Sequence, residues 1–549
     1  MSLAATMPTL PEELLALIFE QLASPNIFEV DEQLDDFYTQ YKAKSSKRLR
    51  RDHSARISTL RNICLASKTM HRLAWPILYR DFSNRQTKDL EGRGRGVDSE
   101  HETPTRKFLR TICLTPHYGL AVRNLLIRGW DPIAAMRGED IFDLLQSDAT
   151  VLALFQWRAR GFWFQDPEFV YTLHRTLSLG HEDGLITLLV IMCPKLRELE
   201  FAPPIEFQWS LFMSLLDIVQ DREYQKESLP QTEPDFEQEE ADYIIAQMFG
   251  APWPGQRWRK PQFLQYLNKL TLWSPGLENM DNTAIAKIMK LPSLLTLEVH
   301  GMQYLGNLGH LFEAFDNVAG PVKLRELYLL DITVATPIVA AILGFCSKLE
   351  ELTLTWNNLH NNAAFRLEYD DIAMALELHT PQLRTLSLDA SPGWEAFGPK
   401  QPFSIGHRLE SLQHLENLTL DDRAIYGSWN DTSGSTLGAN VPKGVTSLLL
   451  TAGYCDGEDP EDDQLIHLYR ERQDKDLIAF LQEPAYDRLS NVELPGRSIF
   501  PALEQAVVRK HGWEILPQRP DETFVHLVNP SRSRTGSAPI IHATRNTEP

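Results

Sequence analysis

The chain has 549 residues but few cysteines, and the five present are far apart: Cys64, Cys113, Cys193, Cys346 and Cys455. None forms a C-x-x-C pair, and none stands with histidines at metal-ligand spacing. The pattern suits reduced thiols, so we expect the protein in the cytoplasm and/or nucleus. We expect no metal site and no cofactor.

Long hydrophobic runs and a basic N-terminus are also absent. The most apolar run, Leu185 to Cys193, is shorter than the roughly 20 residues that span a bilayer. Glu12 and Glu13 precede any lysine or arginine, unlike the basic start of a secretory signal. We therefore expect a soluble protein that is not exported and has no membrane partner.

The sequence has fewer basic than acidic residues, with 54 Lys and Arg against 74 Asp and Glu and a formal net charge of -20. Such a balance repels phosphate backbones, so we expect no nucleic-acid partner. One basic run, KAKSSKRLRR at 42–51, departs from this balance. It is read either as a nuclear-import signal or acidic-surface contact, or as a solvated charged helix.

Catalytic motifs are missing as well. The sequence contains no G-x-S-x-G, H-E-x-x-H, G-x-x-x-x-G-K-[ST] or G-x-G-x-x-G. We therefore predict that the protein is not an enzyme and has no catalytic residue. The alternative is an active site assembled from scattered residues in the helical stretch 130–190.

The N-terminal region contains two helix patterns. LPEELLALIFEQL, from Leu10 to Leu22, places Pro11 at a helix start, and its Leu14, Leu15, Ile18 and Leu22 form one apolar stripe. A second amphipathic stretch runs from Leu60 to Trp75 and is predicted to end before Pro76. Two short helices cannot bury both apolar faces, so the remaining stripe needs another surface.

This region resembles the F-box, in particular its fungal form. The matching positions are Leu10, Pro11, Glu13, Leu14, Ile18, Leu22, Leu60, Ile63, Leu65, Ser67, Lys68, Leu73, Ala74, Pro76, Leu78 and Tyr79. In that family the module docks on the Skp adaptor of a cullin-RING ubiquitin ligase. The resemblance implies the following adaptor-binding residues: Leu10, Pro11, Leu14, Ile18, Leu22, Leu60, Ile63, Leu65, Leu73 and Pro76. Residues 24–56 form a charged insertion in it.

The remainder of the chain repeats the pattern L-x-x-L-x-L. Its ten copies are centred on Leu125, Leu199, Leu270, Leu297, Leu327, Leu352, Leu386, Leu418, Leu448 and Val492. Each copy predicts a strand, and amphipathic segments between several copies predict return helices whose apolar faces are buried by stacking. The segments that begin at Cys193, Cys346 and Thr380 resemble the repeat start of F-box leucine-rich-repeat proteins. The unequal spacing indicates an irregular solenoid with inserted loops.

These patterns predict an α/β fold, in which an F-box-like helical module precedes an irregular leucine-rich-repeat solenoid with a parallel concave sheet. We expect the module at 1–82, a linker at 83–107, the solenoid at 108–529 and a disordered tail at 530–549. The segments 221–240, 427–444 and 452–475 are also expected to be loops or disordered.

The residues that alternate with the inward leucines are expected on the concave face. Eight of them are acidic and one, Lys269, is basic. We predict substrate binding by Glu200, Trp273, Glu298, His300, Glu326, Tyr328, Glu351 and Asp389. A target with a basic segment complements such a face.

The resemblance and the repeats together indicate a substrate-recognition adaptor of a Skp-cullin-F-box E3 ubiquitin ligase. The module would bind the Skp adaptor and the solenoid a target protein. The alternative is a leucine-rich-repeat scaffold that is not connected to ubiquitin ligation.

Overall fold

The computed structural model describes a large part of the chain. The described residues are 11–22, 55–83, 104–127, 169, 172–173, 176, 182–201, 210–220, 264–273, 282–304, 308–318, 320–356, 369–389, 406–426, 436–451, 463–495, 514–515 and 524–528. They divide into two compact units, the first ending at Asn268 and the second beginning at Lys269. The basic run at 42–51 and the predicted tail at 530–549 lie outside the described residues.

The first unit begins with a three-helix module. Its helices are α1 (Glu12–Leu22), α2 (residues 55–66) and α3 (Lys68–Leu78). Phe19, Leu60, Ala74 and Ile77 form its buried core. Leu15, Leu22, Ile63, Cys64, Met70, Leu73 and Leu78 pack against that core from its margins.

The single second helix expected from Leu60 to Trp75 is wrong, because the chain breaks at Ser67. The Ser67 side chain accepts a hydrogen bond from the Met70 amide at 3.1 Å and so caps the start of α3. Pro76 lies inside α3 rather than after it. It stands in the last turn, where the missing amide removes only one backbone hydrogen bond.

The module continues directly into a parallel sheet. The elements that follow it are β1 (Asp81–Ser83), α4 (Pro104–Leu114), α5 (Pro116–Gly119), β2 (Asn124–Ile127), α6 (Glu182–Met192), β3 (Glu198–Phe201) and α7 (Ser210–Gln220). β1 pairs with β2 and β2 with β3, both in parallel. The module boundary predicted at residue 82 therefore falls within a strand, and α4 begins inside the predicted linker.

Aromatic stacking joins the module to this sheet region. The Tyr79 and Tyr118 rings stack with centroids 4.2 Å apart, and Trp75 contacts the Tyr118 ring at 5.2 Å. Phe82 of β1 stacks on Phe108 of α4 at 3.9 Å. The Asn124 amide donates to the Asp81 carboxylate at 2.8 Å. Contacts on both sides of residue 82 therefore hold α3, β1 and β2 together.

The second unit is built from alternating strands and helices. Its strands are β4 (Lys269–Trp273), β5 (Thr296–His300), β6 (Gln303–Tyr304), β7 (Glu326–Val334), β8 (Glu351–Trp356), β9 (Thr385–Asp389), β10 (Asn417–Asp421), β11 (Ser447–Thr451), β12 (Asn491–Pro495), β13 (Glu514–Ile515) and β14 (Phe524–Val528). Its α-helices are α8 (Asn282–Met289), α9 (Leu308–Asn317), α10 (Thr336–Gly344), α11 (Tyr369–His379), α12 (Asp422–Tyr426), α13 (Leu437–Asn440) and α14 (Asp463–Gln482). Two 3₁₀ helices, Gly406–Ser411 and Pro484–Tyr486, complete the described set.

Its sheet is parallel over eight strands. Neighbouring strands pair in parallel in the order β4, β5, β7, β8, β9, β10, β11 and β12. β6 pairs with β7, and β14 pairs antiparallel with β12 and β13. Strands that follow one another in sequence are thus neighbours in space, as stacked strand–helix repeats require. This confirms the α/β class and the parallel sheet.

Each strand contributes one aliphatic residue to a row of Cα partners that runs across the sheet. Leu270, Leu297, Leu327, Leu352, Leu386, Leu418, Leu448 and Val492 are successive Cα partners, and all are buried. In the first unit, Leu125 and Leu199 are partners in the same manner. All ten predicted motif copies therefore lie on strands.

The repeat starts have a local explanation. Cys193, Cys346 and Thr380 are fully buried at the turn after a helix. The Cys346 thiol donates to the Ile342 carbonyl at 3.4 Å, and the Thr380 hydroxyl donates to the Leu376 carbonyl at 2.9 Å. A small donor at this position satisfies a carbonyl of the last helical turn, which has no partner within its own helix. Burial raises the pKa of the Cys346 thiol to about 12.

Two predicted loops contain helices. α13 lies within 427–444, and α14 covers 463–475 of the segment expected to be irregular. The acidic residues near 463 favour a helix start because of the helix dipole. None of the described helices combines the length and apolar character needed to cross a membrane.

Candidate functional site

Helix α1 carries apolar side chains on two faces. Leu15 and Leu22 pack against the module core, and Phe19 is part of it. Leu14, Leu17 and Ile18, by contrast, are 47%, 61% and 47% exposed. On α2, Leu65 is 79% exposed. We call Leu14, Leu17, Ile18 and Leu65 the exposed apolar set.

The predicted adaptor residues divide into three groups. Pro11, Leu14, Ile18 and Leu65 are exposed. Leu22, Ile63, Leu73 and Pro76 are partly buried, and the first three of them pack on the module core. Leu60 is only 1% exposed, which corrects its assignment as a binding residue, because its side chain stabilises the module from within. Leu10 lies outside the described residues.

Leu17 is not among the predicted adaptor-binding residues, although its spacing from Leu14 and Ile18 indicates a shared face. Leu14, Leu17 and Ile18 follow the spacing i, i+3, i+4, whereas Leu15, Phe19 and Leu22 follow i, i+4, i+7. The apolar residues of α1 therefore form two stripes rather than one.

Exposed ion pairs connect both ends of α1 to the rest of the module. The Arg72 guanidinium contacts the Glu12 carboxylate at 2.5 Å, at the N-terminal end of α1. Arg80 contacts Glu20 at 2.8 Å, near its C-terminal end, and Asp81 at 3.0 Å. The face of α1 with Phe19 packs on the module core, and the face with Leu14, Leu17 and Ile18 is exposed.

The second candidate surface is the polar face of the sheet in the second unit. Along β8, exposure alternates between half-buried Glu351, Thr353 and Thr355 and the buried residues between them. This is the two-residue period of a strand whose opposite face packs on the core. Hydrogen bonds from Thr296 to Glu326 at 2.9 Å and from Asn417 to Thr385 at 3.3 Å cross neighbouring strands on this face.

The β4–β5 edge of this face is an internally satisfied network. The Glu298 carboxylate accepts a hydrogen bond from His300 Nε2 at 2.7 Å and from the Thr271 hydroxyl at 3.4 Å. Lys269 Nζ lies 3.6 Å from the same carboxylate. The His300 ring stacks on Trp273 with centroids 3.6 Å apart and an interplanar angle of 9°.

Three predicted binding residues are consequently not on an open surface. Glu298, His300 and, in the first unit, Glu200 are buried. This corrects the expectation that they are available to a partner. Lys269 and His300 both contact the Glu298 carboxylate. Lys269 and Glu298 are far apart in sequence and meet only because β4 and β5 are adjacent.

Glu326, Tyr328 and Glu351 behave differently. All three are half-buried, and Glu326 and Glu351 are Cα partners on β7 and β8. The pKa of the Tyr328 phenol is raised above its ordinary value by burial, and further by the nearby carboxylates, including a hydrogen bond to Glu351. Phenol and carboxylates thus share one partly desolvated region of the face.

Asp389, the last predicted binding residue, is half-buried at the end of β9. The Thr451 hydroxyl donates to its carboxylate at 3.4 Å. Within the described residues, no group of three or more His, Cys, Asp or Glu side chains is placed to hold a metal ion.

No protein-family model matches the sequence, and no curated protein matches it at a significant level.

Proposed function

We propose that the protein is a substrate-recognition adaptor of a Skp-cullin-F-box ubiquitin ligase. In this proposal the helical module is an F-box that docks on the Skp adaptor. The strand–helix repeats form a leucine-rich-repeat solenoid that binds the target protein. The observation that carries the proposal is the exposed apolar set, on helices whose core is already formed by other residues.

The exposed apolar set is difficult to explain by folding alone. Phe19, Leu60, Ala74 and Ile77 already supply a buried core for the three helices. Leaving large aliphatic side chains in water has a cost that burial against a partner recovers, at about 25 cal/mol per Å² of apolar surface. Exposed apolar residues grouped on one small module therefore favour a protein-binding role.

The proposed mechanism needs no catalytic residue in this chain. An adaptor that holds its target close to a charged conjugating enzyme raises the effective concentration of the target lysine. The stacked rings of Tyr79 and Tyr118 connect this module to α5 within the first unit.

The direct test is binding between the purified full-length chain and a purified Skp-family adaptor. We expect the triple substitution Leu14→Ser, Leu17→Ser, Ile18→Ser to weaken that binding by at least about tenfold, since each site loses apolar contact area. The matched control is Phe312→Ser with Leu378→Ser, two exposed apolar side chains in the second unit. The control should bind as tightly as the wild type.

Absence of adaptor binding by the wild-type chain would refute the F-box assignment and favour the scaffold alternative. Equal binding by the wild type and the triple variant would show that α1 is not the docking helix. Co-purification from cells, followed by identification of the bound proteins, would then name the partners of the repeats.

A further inference from the structure

At the register position of Tyr328, the polar face of the second unit is half-buried on its middle strands and buried on the strands to either side. Tyr328, Thr353, Ser387 and Thr419 are successive register partners on β7, β8, β9 and β10, and all four are half-buried. We call them the central strip. The same register positions on both sides are buried: Thr271 and Glu298 on β4 and β5, and Leu449 and Glu493 on β11 and β12.

The charge next to the central strip is entirely negative. The neighbouring register row on β7–β10 contains Glu326, Glu351, Thr385 and Asn417, so the two rows together contain no lysine or arginine. Neither Glu326 nor Glu351 forms an ion pair with any residue of the described chain. Glu298, one strand away, differs in having Lys269 and His300 against its carboxylate.

The charges of these two carboxylates are unfavourable for folding. Like charges directly opposite one another on adjacent strands are destabilising, and partial burial strengthens their repulsion. The hydrogen bonds that Thr296 and Tyr328 direct to these carboxylates satisfy oxygen atoms but bring no compensating charge. A cation from outside the chain is the missing partner.

We propose that the central strip binds an extended basic segment of a protein partner, with a lysine or arginine side chain placed between Glu326 and Glu351. The Tyr328 ring lies next to both carboxylates, where it can contact the cation through its face. Arginine fits best, because its planar guanidinium can donate to two carboxylates at once. Hydroxyls of Thr353, Ser387 and Thr419 can then bond polar groups farther along the segment.

The dimensions fit a short extended peptide. Three strand-to-strand steps separate β7 from β10, which is about 14 Å at the usual spacing of about 4.8 Å. An extended chain advances about 3.3 Å per residue, so about four or five residues cross the strip. Identifying this partner with the target of a ubiquitin ligase rests on the proposed function, but the binding site itself does not.

The test uses fluorescent peptides of about eight residues, because that length extends beyond both edges of the strip. One peptide carries arginines at alternate positions, and its counterpart carries glutamates there. Binding to the full-length chain is measured by anisotropy over a salt series. We expect the arginine peptide to bind, its affinity to fall with salt, and the double substitution Glu326→Gln, Glu351→Gln to weaken it by about tenfold or more.

The control is Glu350→Gln, which removes a carboxylate that pairs with Arg325 at 3.2 Å and does not belong to either register row of the face. It should bind the arginine peptide as the wild type does. Equal affinity for the double variant and the wild type, or equal binding of both peptides to the wild type, would overturn the proposal. The variant Glu326→Lys, Glu351→Lys should reverse the preference toward the glutamate peptide.

The two proposals can fail separately. The glutamine double variant should bind the Skp adaptor normally, and the α1 triple variant should bind the arginine peptide normally. Peptide binding without adaptor binding would support the basic-segment site and refute the ligase assignment. Adaptor binding without selective peptide binding would support the ligase assignment and refute the basic-segment site.

Discussion

Glu326 on β7 and Glu351 on β8 are Cα partners on adjacent parallel strands, and neither carboxylate forms an ion pair within the described chain. On the next strand in the other direction, the Glu298 carboxylate lies 3.6 Å from Lys269 Nζ and 2.7 Å from His300 Nε2. One polar face therefore holds a carboxylate with a lysine and a histidine beside it and two carboxylates that have only hydroxyl donors among the described residues.

The first prediction is that Glu351→Gln increases stability. It removes a like-charge contact from adjacent strands, which is worth about 0.2–1 kcal/mol, and its side-chain carbonyl can still accept from Tyr328. Denaturant unfolding at neutral pH would measure the change. A gain in stability would fit the proposed binding role of Glu351, because binding residues often trade stability for activity.

Glu350→Gln serves as the comparison for that measurement. It removes the exposed contact with Arg325, so its effect on the free energy of unfolding should stay within about 0.5 kcal/mol. If Glu351→Gln destabilises the protein more than Glu350→Gln does, the carboxylate pair is not a source of repulsion.

The second prediction concerns the leucine register. Leu352 is fully buried between Leu327 and Leu386, its partners on β7 and β9. Leu352→Ala should lower the free energy of unfolding by about 2–5 kcal/mol, as truncation of large buried side chains does. Leu378→Ala, at a position 67% exposed on α11, should change it by less than about 0.5 kcal/mol. Similar losses for both variants would contradict the register.

The strands were predictable because their signal is local. In each copy of L-x-x-L-x-L the leucines repeat at the spacing that buries one face of a strand, and the pattern needs no knowledge of its neighbours. The return helices between the copies were predictable for the same reason, and α10 at Thr336–Gly344 is one of them. β1 was missed because its three residues contain no such repeat.

The polar face was only partly predictable because its chemistry depends on which strands are adjacent. Alternation placed Glu298 and Glu326 on the same face, but only register brings Lys269 and His300 to Glu298. The burial of Glu200 likewise depends on packing rather than on its own strand. Serine is a preferred helix N-cap, so Ser67 indicates that a new helix starts there. The apolar pattern continues across Ser67, however, and this continuity favours a single helix.

The third prediction tests the packing of α5 against α6 in the first unit. A methyl group at Gly119 would overlap the backbone carbonyl of Met192, which cannot rotate away as a side chain would. Gly119→Ala should therefore destabilise the first unit by about 1–3 kcal/mol, as overpacking does. Thermal unfolding or protease resistance would show the loss.

Gly344→Ala is the matched control for that substitution. A methyl group there would lie 3.8 Å from the His379 ring, an ordinary van der Waals distance. It should be neutral or stabilise by about 0.4–1 kcal/mol, because alanine restricts the unfolded chain. Equal tolerance of both substitutions would show that α5 does not approach Met192 so closely.

The last prediction concerns Asp476 on α14, which joins three elements of the second unit. One carboxylate oxygen accepts hydrogen bonds from the Tyr426 hydroxyl at 3.0 Å and from the Leu437 amide at 2.7 Å. Burial raises the pKa of Asp476 above its ordinary value, although both hydrogen bonds and Arg472 act in the opposite direction. The folded protein therefore holds this proton more tightly than the unfolded chain does.

The sign of the pH dependence follows from this difference. Below the unfolded pKa the carboxyl is protonated in both states, and its favourable contribution to stability is complete. That contribution is lost as pH rises through the folded pKa, because a partly buried charge then forms. Asp476→Asn should remove this dependence and, with its carbonyl oxygen in the same place, keep both hydrogen bonds. Asp476→Ala should cost about 1–3 kcal/mol, since the Tyr426 and Leu437 donors lose their acceptor. Unfolding measured across acidic to neutral pH would test both variants, and an Asn variant as unstable as the Ala variant would show that the charge itself, rather than the acceptor, holds the three elements together.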